Sequence, residues 1–278
     1  MSLQLLNNYS QIVVVTTSPF FLNMAKSLYG ALSDLKFNVQ LDPLIQQFND
    51  NHLYILFGPH CWNNLPLPKN YIMYQTEQYT GDGFKLIQDK IIDGALQLWD
   101  YSIDNISNYS NKKWAEKSVY IPFYYHPNME APFSKKYVDV LFVGSLSPHR
   151  SEIINRLKQE GIHVVIPNKF GDSLAQLLSR CKIGLNIHYF DESKPTIIES
   201  SRINLMLANK VCVVSEDCSH KEDLKSYKDA ILIPKDLDEM VSIIKDLLNN
   251  PEKLEQQSQK GYEKITQLSL KDWIQKLL

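Results

Sequence analysis

Residues 138–150 read VDVLFVGSLSPHR and change character at Gly144. Before the glycine the residues are apolar except for Asp139, as in a buried strand. After it comes Pro148, which suits the first turn of a helix because its missing N–H costs no hydrogen bond there. The segment therefore predicts a strand, a turn and a helix, the repeating unit of a parallel α/β sheet.

The same alternation of short apolar runs and longer amphipathic stretches continues in both directions along the chain. On the C-terminal side, strands are predicted at residues 163–166, 183–187, 211–215 and 230–233, and helices at 148–160, 174–178, 197–208, 237–248, 251–266 and 270–278. On the N-terminal side, strands are predicted at 11–16, 37–41, 52–57, 71–74, 95–99 and 119–121, and helices at 20–35, 84–92 and 103–113. Residues 122–136 hold three prolines and no clear period, so they are interpreted as a linker.

These patterns predict an α/β chain made of two Rossmann-like domains, residues 1–130 and 131–265. A last helix within residues 266–278 could cross back to the first domain. Because ligands of open parallel sheets bind at the carboxyl ends of the strands, we expect the two domains to face each other across a cleft. The function is therefore sought in the loops that follow strands.

Composition and charge argue against several classes of protein. The net charge is -2 and no nucleic-acid-binding motif is present, so nucleic acid is not expected as a partner. No apolar run approaches the roughly 20 residues that span a bilayer, and the N-terminus does not resemble a signal peptide, so a soluble cytoplasmic protein is expected. Neither the cysteines nor the histidines have metal-site spacing, so no metal or other cofactor is expected. The Asp236-Leu237-Asp238 triplet is interpreted as a helix N-cap.

Three segments of the C-terminal half place polar groups after predicted strands. In the first, Gly144 allows close backbone approach, Ser145 offers a hydroxyl, and Arg150 in the first turn of a helix could reach a diphosphate. In the second, Asn186 and His188 stand at the exit of an apolar strand, where they could contact a ligand. Each segment also fits a structural interpretation, a strand–helix turn in the first and a structural histidine in the second.

The third segment, residues 199–204, begins a helix after the His188 loop. Glu199 and Arg202 are three residues apart and share one helix face, which by itself would fit a surface ion pair. In a ligand site, the Glu199 carboxylate would instead accept hydrogen bonds from ribose hydroxyls. Arg202 and the N–H groups of the serines, including Ser201, would then hold phosphates.

One N-terminal segment, residues 74–79, concentrates hydrogen-bonding groups after a predicted strand. Its amide, carboxylate and aromatic groups suit the hydroxyls and C–H faces of a sugar. Tyr74 and Gln75 are therefore predicted to face a sugar-containing substrate, which would be the acceptor if the protein transfers a group. Glu77 is the candidate catalytic general base. The segment also fits a polar loop over the sheet.

The C-terminal half resembles glycosyltransferases of the family 1/4-like GT-B class, in particular short bacterial and viral members with a CgeB-like C-terminal domain. The resemblance is carried by residues 139–145, 185–189, 199–210 and 213–216, and residues 74–78 resemble a recurring N-terminal segment of the same proteins. It implies the GT-B fold, a C-terminal domain that binds a nucleotide-sugar and an N-terminal domain that binds the acceptor. It also implies that Gly144, Ser145 and Arg150 line the donor phosphates and that Glu199 and Arg202 contact the nucleotide.

The expected function is therefore metal-independent transfer of a sugar from a nucleoside-diphosphate sugar to an unknown glycan, protein or small-molecule acceptor. The retaining enzymes have two glutamates separated by seven residues. In this sequence Asp191 stands eight residues before Glu199, whereas an alignment on Asn209-Lys210 puts Asn204 where the second glutamate would be, so the anomeric outcome stays open. Two alternatives remain, a non-catalytic GT-B protein that binds a glycan or nucleotide, and a nucleotide-sugar epimerase.

Overall fold

The computed structural model of the chain describes residues 2–16, 18–61, 66–87, 89–191 and 194–278. The chain divides into two compact units. The first consists of Met1–Asn128 together with Ser269–Leu278, and the second of Met129–Leu268. Each unit is built on its own sheet, in which every described strand pair is parallel.

The first unit contains a six-stranded sheet with the order β2-β1-β3-β4-β5-β6. Its strands are β1 Ile12–Thr16, β2 Val39–Asp42, β3 Leu53–Phe57, β4 Tyr71–Gln75, β5 Gln97–Asp100 and β6 Ser118–Tyr120. Strands β1, β3, β4 and β5 are buried along their whole length, as expected for inner strands covered on both faces. All six strands predicted for this half are present.

The helices of the first unit are α1 Leu22–Asp34, α2 Asp82–Lys85, α3 Asp89–Gly94, α4 Ile103–Ser107, α5 Lys112–Lys117 and α11 Leu270–Leu277. The single helix predicted at 103–113 was wrong, since α4 ends before the turn formers Asn108 and Ser110. The side chain of Asn111 accepts a hydrogen bond from the Lys113 N–H and so starts α5 as a separate helix. The helix predicted at 84–92 is likewise divided into α2 and α3, and Gln88 in that range lies outside the described residues.

Helix α11 packs on α1 in the first unit. The Trp273 Nε1–H donates to the Tyr120 carbonyl at 2.9 Å, and the indole meets the rings of Tyr120 and Tyr124 edge-on. Ile274 is completely buried. The Leu3 N–H also donates to the Leu277 carbonyl at 2.8 Å, so the helix is tied to the first residues of the chain.

The second unit contains a four-stranded sheet with the order β10-β9-β7-β8. Its strands are β7 Val138–Phe142, β8 Val164–Val165, β9 Cys181–Asn186 and β10 Cys212–Ser215. Its helices are α6 Pro148–Gln159, α7 Gly171–Leu178, α8 Ser200–Ala208, α9 Leu237–Asn249 and α10 Pro251–Thr266. The strand–turn–helix predicted from residues 138–150 is confirmed as β7, the Gly144 loop and α6.

The last strand predicted for this half, at 230–233, is reduced to a single bridge between Leu232 and Val214. Leu232 donates to the Val213 carbonyl and accepts from the Ser215 N–H. Pro234 has no N–H to donate, so the pairing cannot extend further. In the part of the chain that the structure describes, no helix is long and apolar enough to cross a membrane.

Candidate functional site

The loop after β7 turns at Gly144, which is exposed and has a φ of 148°, a conformation that favours glycine. A Cβ added there would lie 3.3 Å from Nη1 of Arg150 and 3.3 Å from Nη2 of Arg202. It would also lie 3.2 Å from the Phe142 ring. Two guanidinium groups, one from α6 and one from α8, therefore reach the bare backbone of this loop.

Arg150 is only 3% exposed, and its Nε–H and one Nη1–H donate to backbone carbonyls. Its Nε donates to the carbonyls of Ile187 and His188 at 3.0 and 3.1 Å, and its Nη1 donates to the Ser145 carbonyl at 2.9 Å. The side chain thus joins the loop after β7 to the loop after β9. Burial, and then the charge of Arg202, lower the pKa of Arg150 from 12.5 to about 10, so it is still a cation at neutral pH.

Arg202 is half-buried and is held by groups at the end of β9. Its Nη1 donates to Asn186 Oδ1 at 2.9 Å and to the Ile187 carbonyl at 3.2 Å. Asn186 is completely buried and donates to the Ser215 hydroxyl at 2.9 Å, which fixes the amide. Burial lowers the pKa of Arg202, and the charge of Glu199 partly offsets that effect. Nη2, the nitrogen nearest Gly144, makes no hydrogen bond within the described residues.

Helix α8 begins beside these arginines. Its N-cap residue, Glu199, makes no side-chain capping bond. The N–H groups of Ser200 and Arg202 donate to the carbonyls of Ile198 and Glu199 at 2.8 and 3.1 Å, while the Ser201 N–H makes no hydrogen bond within the described residues. The Ser200 hydroxyl is buried and has no hydrogen-bond partner in the described part of the chain. Glu199 and Ser201 are both half-buried at this end, while Ser145 is exposed on the neighbouring loop. The predicted residues of the first and third segments are thus brought together.

His188 lies under the same loops but is turned toward the next strand. It is 4% exposed, and its backbone N–H donates to Glu216 Oε2 at 2.8 Å. Its ring nitrogen Nε2 lies 3.0 Å from the Asp217 carbonyl oxygen. Glu216 Oε1 in turn lies 2.8 Å from Nε2 of His149. Burial lowers the pKa of His188, so its ring is neutral at neutral pH.

In the first unit, the structure corrects the placement predicted for Tyr74 and Gln75. The Tyr74 ring is 2% exposed, stacks between Phe57 and Phe123 at 4.5 and 5.3 Å, and its hydroxyl donates to the Ile121 carbonyl. Gln75 is completely buried, and its amide bonds both the N–H and the carbonyl of Glu77. Tyr74 is therefore a core residue, and Gln75 shapes the loop from inside. Neither faces solvent where an acceptor could touch it.

Glu77, unlike Tyr74 and Gln75, reaches the surface, with 28% of its side chain exposed. One carboxylate oxygen lies 3.4 Å from Nε2 of His60, whose side chain is 3% exposed. A Cβ on Gly83 would lie 2.3 Å from the other oxygen, so only glycine fits there without displacing the carboxylate. The sequence analysis missed His60. His60 follows β3, and Glu77 follows the adjacent strand β4, so both residues lie at the same edge of the sheet. That position after a strand is the sequence feature that could have identified His60.

A buried polar network supports the Glu77 loop from below. Asn105 is completely buried and donates to the Glu77 carbonyl at 2.9 Å, and its Oδ1 accepts from the Tyr79 N–H at 2.9 Å. Asp100, also completely buried, accepts from the Ser102 N–H, the Asn105 amide and the Tyr109 hydroxyl. The loop is therefore fixed by side chains of β5 and α4.

The predicted helix cap at Asp236 is confirmed. Its Oδ1 accepts from the Glu239 N–H at 2.8 Å and begins α9, while Asp238 pairs with Arg156 at 2.8 Å. Among the described residues, no group of three or more His, Cys, Asp or Glu side chains is placed to hold a metal ion.

Comparison with known families identifies the C-terminal half. Residues 143–278 match a family model described as glycosyl transferase-like. The match runs from the end of the first strand of the second unit through α11. These residues are therefore similar to a glycosyl transferase-like domain.

Solved glycosyltransferases resemble both units together. An alpha-glucosyltransferase in complex with UDP matches 96% of this chain and 99% of its own, with a TM-score of 0.62 and 9% identity. An alpha1,3-fucosyltransferase with GDP-fucose matches 97% of this chain and 89% of its own, with a TM-score of 0.52 and 12% identity. TarM of S. aureus matches 82% of this chain and 54% of its own, with a TM-score of 0.56 and 12% identity. The predicted GT-B fold is thus confirmed.

The neighbours do not support every expectation about partners. The alpha-glucosyltransferase has also been solved with UDP-glucose and DNA. The expectation that nucleic acid is not a partner of this chain therefore has no support from them.

The relatives of similar sequence are uncharacterized proteins of Acanthamoeba polyphaga mimivirus. Protein L140 is 29% identical over 218 residues, which cover 74% of this chain and 67% of L140. Protein R358 is 28% identical over 257 residues, which cover 88% of this chain and 84% of R358. The chain spans a smaller share of L137, 30% of that protein at 27% identity.

Proposed function

We propose that this protein transfers a glycosyl group from a nucleoside-diphosphate sugar to an acceptor hydroxyl without a metal ion. One observation carries the proposal, the convergence of Arg150 and Arg202 on the exposed backbone of Gly144. Two desolvated cations side by side repel each other, as the lowered pKa of Arg150 reflects. A diphosphate would relieve that repulsion and accept charge-assisted hydrogen bonds from Arg202.

The residues around the two arginines would share the work of holding the donor. Arg202 Nη2 and the Ser201 N–H at the start of α8 would face the phosphates, with the Ser145 and Ser201 hydroxyls at the rim. Glu199, half-buried beside them, would accept hydrogen bonds from the ribose hydroxyls. Gly144 lets the phosphate approach the backbone, because a side chain there would occupy the space.

Arg150 would act mainly as a positioning residue. Its contacts with three carbonyls fix the two loops that carry Gly144 and Asn186, and Asn186 in turn orients Arg202. As the sugar–phosphate bond breaks, negative charge develops on the leaving diphosphate. Preorganised cations and helix N–H groups stabilise that charge without having to reorganise, which is the role a metal ion has in other transferases.

Glu77 would serve the acceptor. It is half-exposed at the carboxyl edge of the first sheet, and His60 and Gly83 restrict its carboxylate on either side. A carboxylate so held could take the proton from an attacking hydroxyl. Asn186 would not touch the phosphates, because its amide is bonded to Ser215 and Arg202 beneath the loop. His188 would not touch them either, because it is turned toward Glu216 and Asp217.

Thermal unfolding in the presence of nucleotides tests the donor site. UDP, UDP-glucose, GDP and GDP-fucose would each be added with EDTA, to wild type and to Arg202→Ala. Saturation at 100 times the dissociation constant stabilises a protein by roughly 2.7 kcal/mol, which gives a measurable shift in Tm. We expect a shift with at least one of them that Arg202→Ala loses and that the exposed-site control Arg180→Ala keeps. No shift with any nucleotide would overturn the proposal.

Product analysis then separates transfer from the alternatives. With the bound donor and a panel of acceptors, a transferase releases nucleoside diphosphate and forms a glycoside. An epimerase returns an isomerised donor, and a binding protein returns the donor unchanged. Either of the last two results would contradict the proposed reaction while leaving the donor site intact.

A further inference from the structure

The carboxyl edge of the first sheet exposes large apolar side chains. In the described part of the first unit four large hydrophobic residues are exposed, and three of them follow a strand: Phe20 after β1, Leu44 after β2 and Leu86 after β4. These three are 67%, 82% and 66% exposed. The fourth, Leu96, precedes β5 and so belongs to the opposite edge. Single exposed apolar residues are ordinary, but here they are concentrated on the edge that carries Glu77.

Phe20 is connected to Glu77 through the loop after β3. Its neighbour Phe21 packs so closely at Gly58 that a Cβ there would lie 2.2 Å from the Phe21 ring. Gly58 begins the loop that carries His60, whose Nε2 lies 3.4 Å from the Glu77 carboxylate. The loops after β1 and β3 are therefore in contact, and Phe20 is exposed beside them.

Leu86 is connected to Glu77 through α2. Gly83 in this helix faces the carboxylate, since a Cβ there would lie 2.3 Å from Glu77 Oε2. The Leu86 N–H donates to the Gly83 carbonyl at 3.1 Å, so the two residues are one turn apart. The segments on both sides of the candidate base thus continue into exposed apolar side chains.

The same edge is poor in cations. The segments that follow the six strands are residues 17–21, 43–48, 58–64, 76–85, 101–107 and 121–128. Their sequences contain one lysine and no arginine, and the ammonium of that residue, Lys85, lies 2.9 Å from the carboxylate of Asp82. Glu77 and Asp104 add two further carboxylates. Because phosphates are bound through cations and repelled by carboxylates, this edge favours an uncharged molecule.

From this arrangement we infer that the acceptor is an uncharged hydroxyl compound that carries an aromatic or alkyl group. Phe20 and Leu86 would bind that group, because contact removes apolar surface from water on both sides. The hydroxyl would then lie at Glu77. The inference rests on the proposed function and names the class of acceptor, which Glu77 alone does not specify.

Cys61 provides a readout of acceptor binding that needs no turnover. It is exposed, whereas the other three cysteines of the chain are buried. Partial burial, and then the charge of Glu77, raise the pKa of its thiol, so the sulfur lies near that carboxylate. Alkylation of Cys61 by iodoacetamide at mildly alkaline pH, followed by mass spectrometry, would therefore slow when an acceptor occupies the site.

The test compares acceptors that share the same sugar hydroxyls. Phenyl β-glucoside, octyl β-glucoside below its micelle concentration, glucose and a duplex DNA oligonucleotide would each be titrated against Cys61 alkylation. The titrations would include the nucleotide that binds in the thermal screen. The proteins are wild type, Phe20→Ala and Leu86→Ala, with Leu96→Ala as the matched control at the opposite edge. All three substitutions are at exposed positions and should leave the fold intact.

We expect at least one of the two substituted glucosides to protect Cys61 with an apparent affinity about tenfold higher than that of glucose. Phe20→Ala and Leu86→Ala should each lose most of that preference, and Leu96→Ala should keep it. Equal protection by glucose, stronger protection by DNA, or no protection by any compound would overturn the acceptor assignment while nucleotide binding stands. Failure of every nucleotide to bind wild type would instead overturn the proposed function on which the assignment rests.

Discussion

Arg150 and Arg202 each place a guanidinium nitrogen 3.3 Å from the point where a Cβ of Gly144 would lie. The two side chains start from different helices, α6 and α8, and are fixed by carbonyls of the loop after β9. A single methyl group at this glycine would thus meet both cations. That relationship makes Gly144 the most direct test of the donor site.

Gly144→Ala is expected to lower the affinity for the bound diphosphate by about tenfold or more. The methyl group would fill the space in front of both arginines. The alanine backbone would also be strained at position 144, where φ is 148°. Calorimetric titration measures the change. Gly161→Ala is the matched control, because Gly161 has a φ of 81° but nothing within 4 Å of its Cβ position. If both variants lost affinity equally, the effect would come from general destabilisation and not from the arginine site.

Glu77→Gln is expected to reduce kcat by about 100-fold or more, because the amide cannot accept the acceptor's proton. The Kd of the nucleotide-sugar should change little, since Glu77 belongs to the first unit and the donor residues to the second. Single-turnover kinetics with a reactive acceptor measures the chemical step. Glu116→Gln, at an exposed position of the same unit, should leave the rate unchanged. Full activity in Glu77→Gln would exclude Glu77 as the base.

Asn105→Ala is expected to destabilise the protein by about 2–4 kcal/mol. Its side chain is completely buried and bonds the Glu77 carbonyl, the Tyr79 N–H and Asp100, so the variant removes three hydrogen bonds and leaves a void in their place. Urea unfolding followed by tryptophan fluorescence measures the loss. Asn108→Ala, which removes one bond to the Asp104 carbonyl, should cost far less. A loss below about 1 kcal/mol in Asn105→Ala would mean that the network is not needed to hold the Glu77 loop.

Stability is expected to fall as the pH drops below about 6.5, in part because of His126 and His188. Burial lowers the pKa of each below its ordinary value of 6.5, although Asp34 opposes this effect for His126, and Glu199 and Glu216 oppose it for His188. Below pH 6.5 the unfolded chain binds protons that the folded rings resist, so each histidine costs up to about 1.4 kcal/mol per pH unit until its folded form protonates. The Tm of wild type and His188→Gln between pH 7 and 5 measures the effect.

The Tm of His188→Gln should fall less steeply between pH 7 and 5 than the Tm of wild type. The Tm of the exposed control His163→Gln should fall as steeply as that of wild type. Equal slopes in all three proteins would show that His188 titrates alike in the folded and unfolded states.

The fold could be predicted from the sequence because buried parallel strands consist of continuous apolar runs. Residues 11–16 and 138–143 were located to within a residue at either end. The pattern failed where only side-chain bonds decide the structure. The periodicity of residues 103–113 does not show that Asn111 caps a new helix. The apolar run at 230–233 likewise does not show that Leu232 alone pairs with Val214.

The candidate site could be predicted less well, because residue type does not reveal which way a side chain points. Tyr74 and Gln75 have the chemistry of an acceptor surface, but they lie on a strand covered on both faces and point inward. The sequence places Arg150 near the Gly144 turn, but it does not show that the guanidinium also donates to the carbonyls of Ser145, Ile187 and His188. His60 could be paired with Glu77 only once β3 and β4 were known to be neighbours.

The return of α11 to the first unit sets the order in which the protein can assemble. Residues 269–278 are translated after all of Met129–Leu268, although they complete the unit that begins at the N-terminus. On the ribosome, α1 and the ring of Tyr120 are made before α11, which contacts both, and the second unit, which is continuous in sequence, is made and folds in between. The half of the molecule that is made first is therefore the half that is finished last.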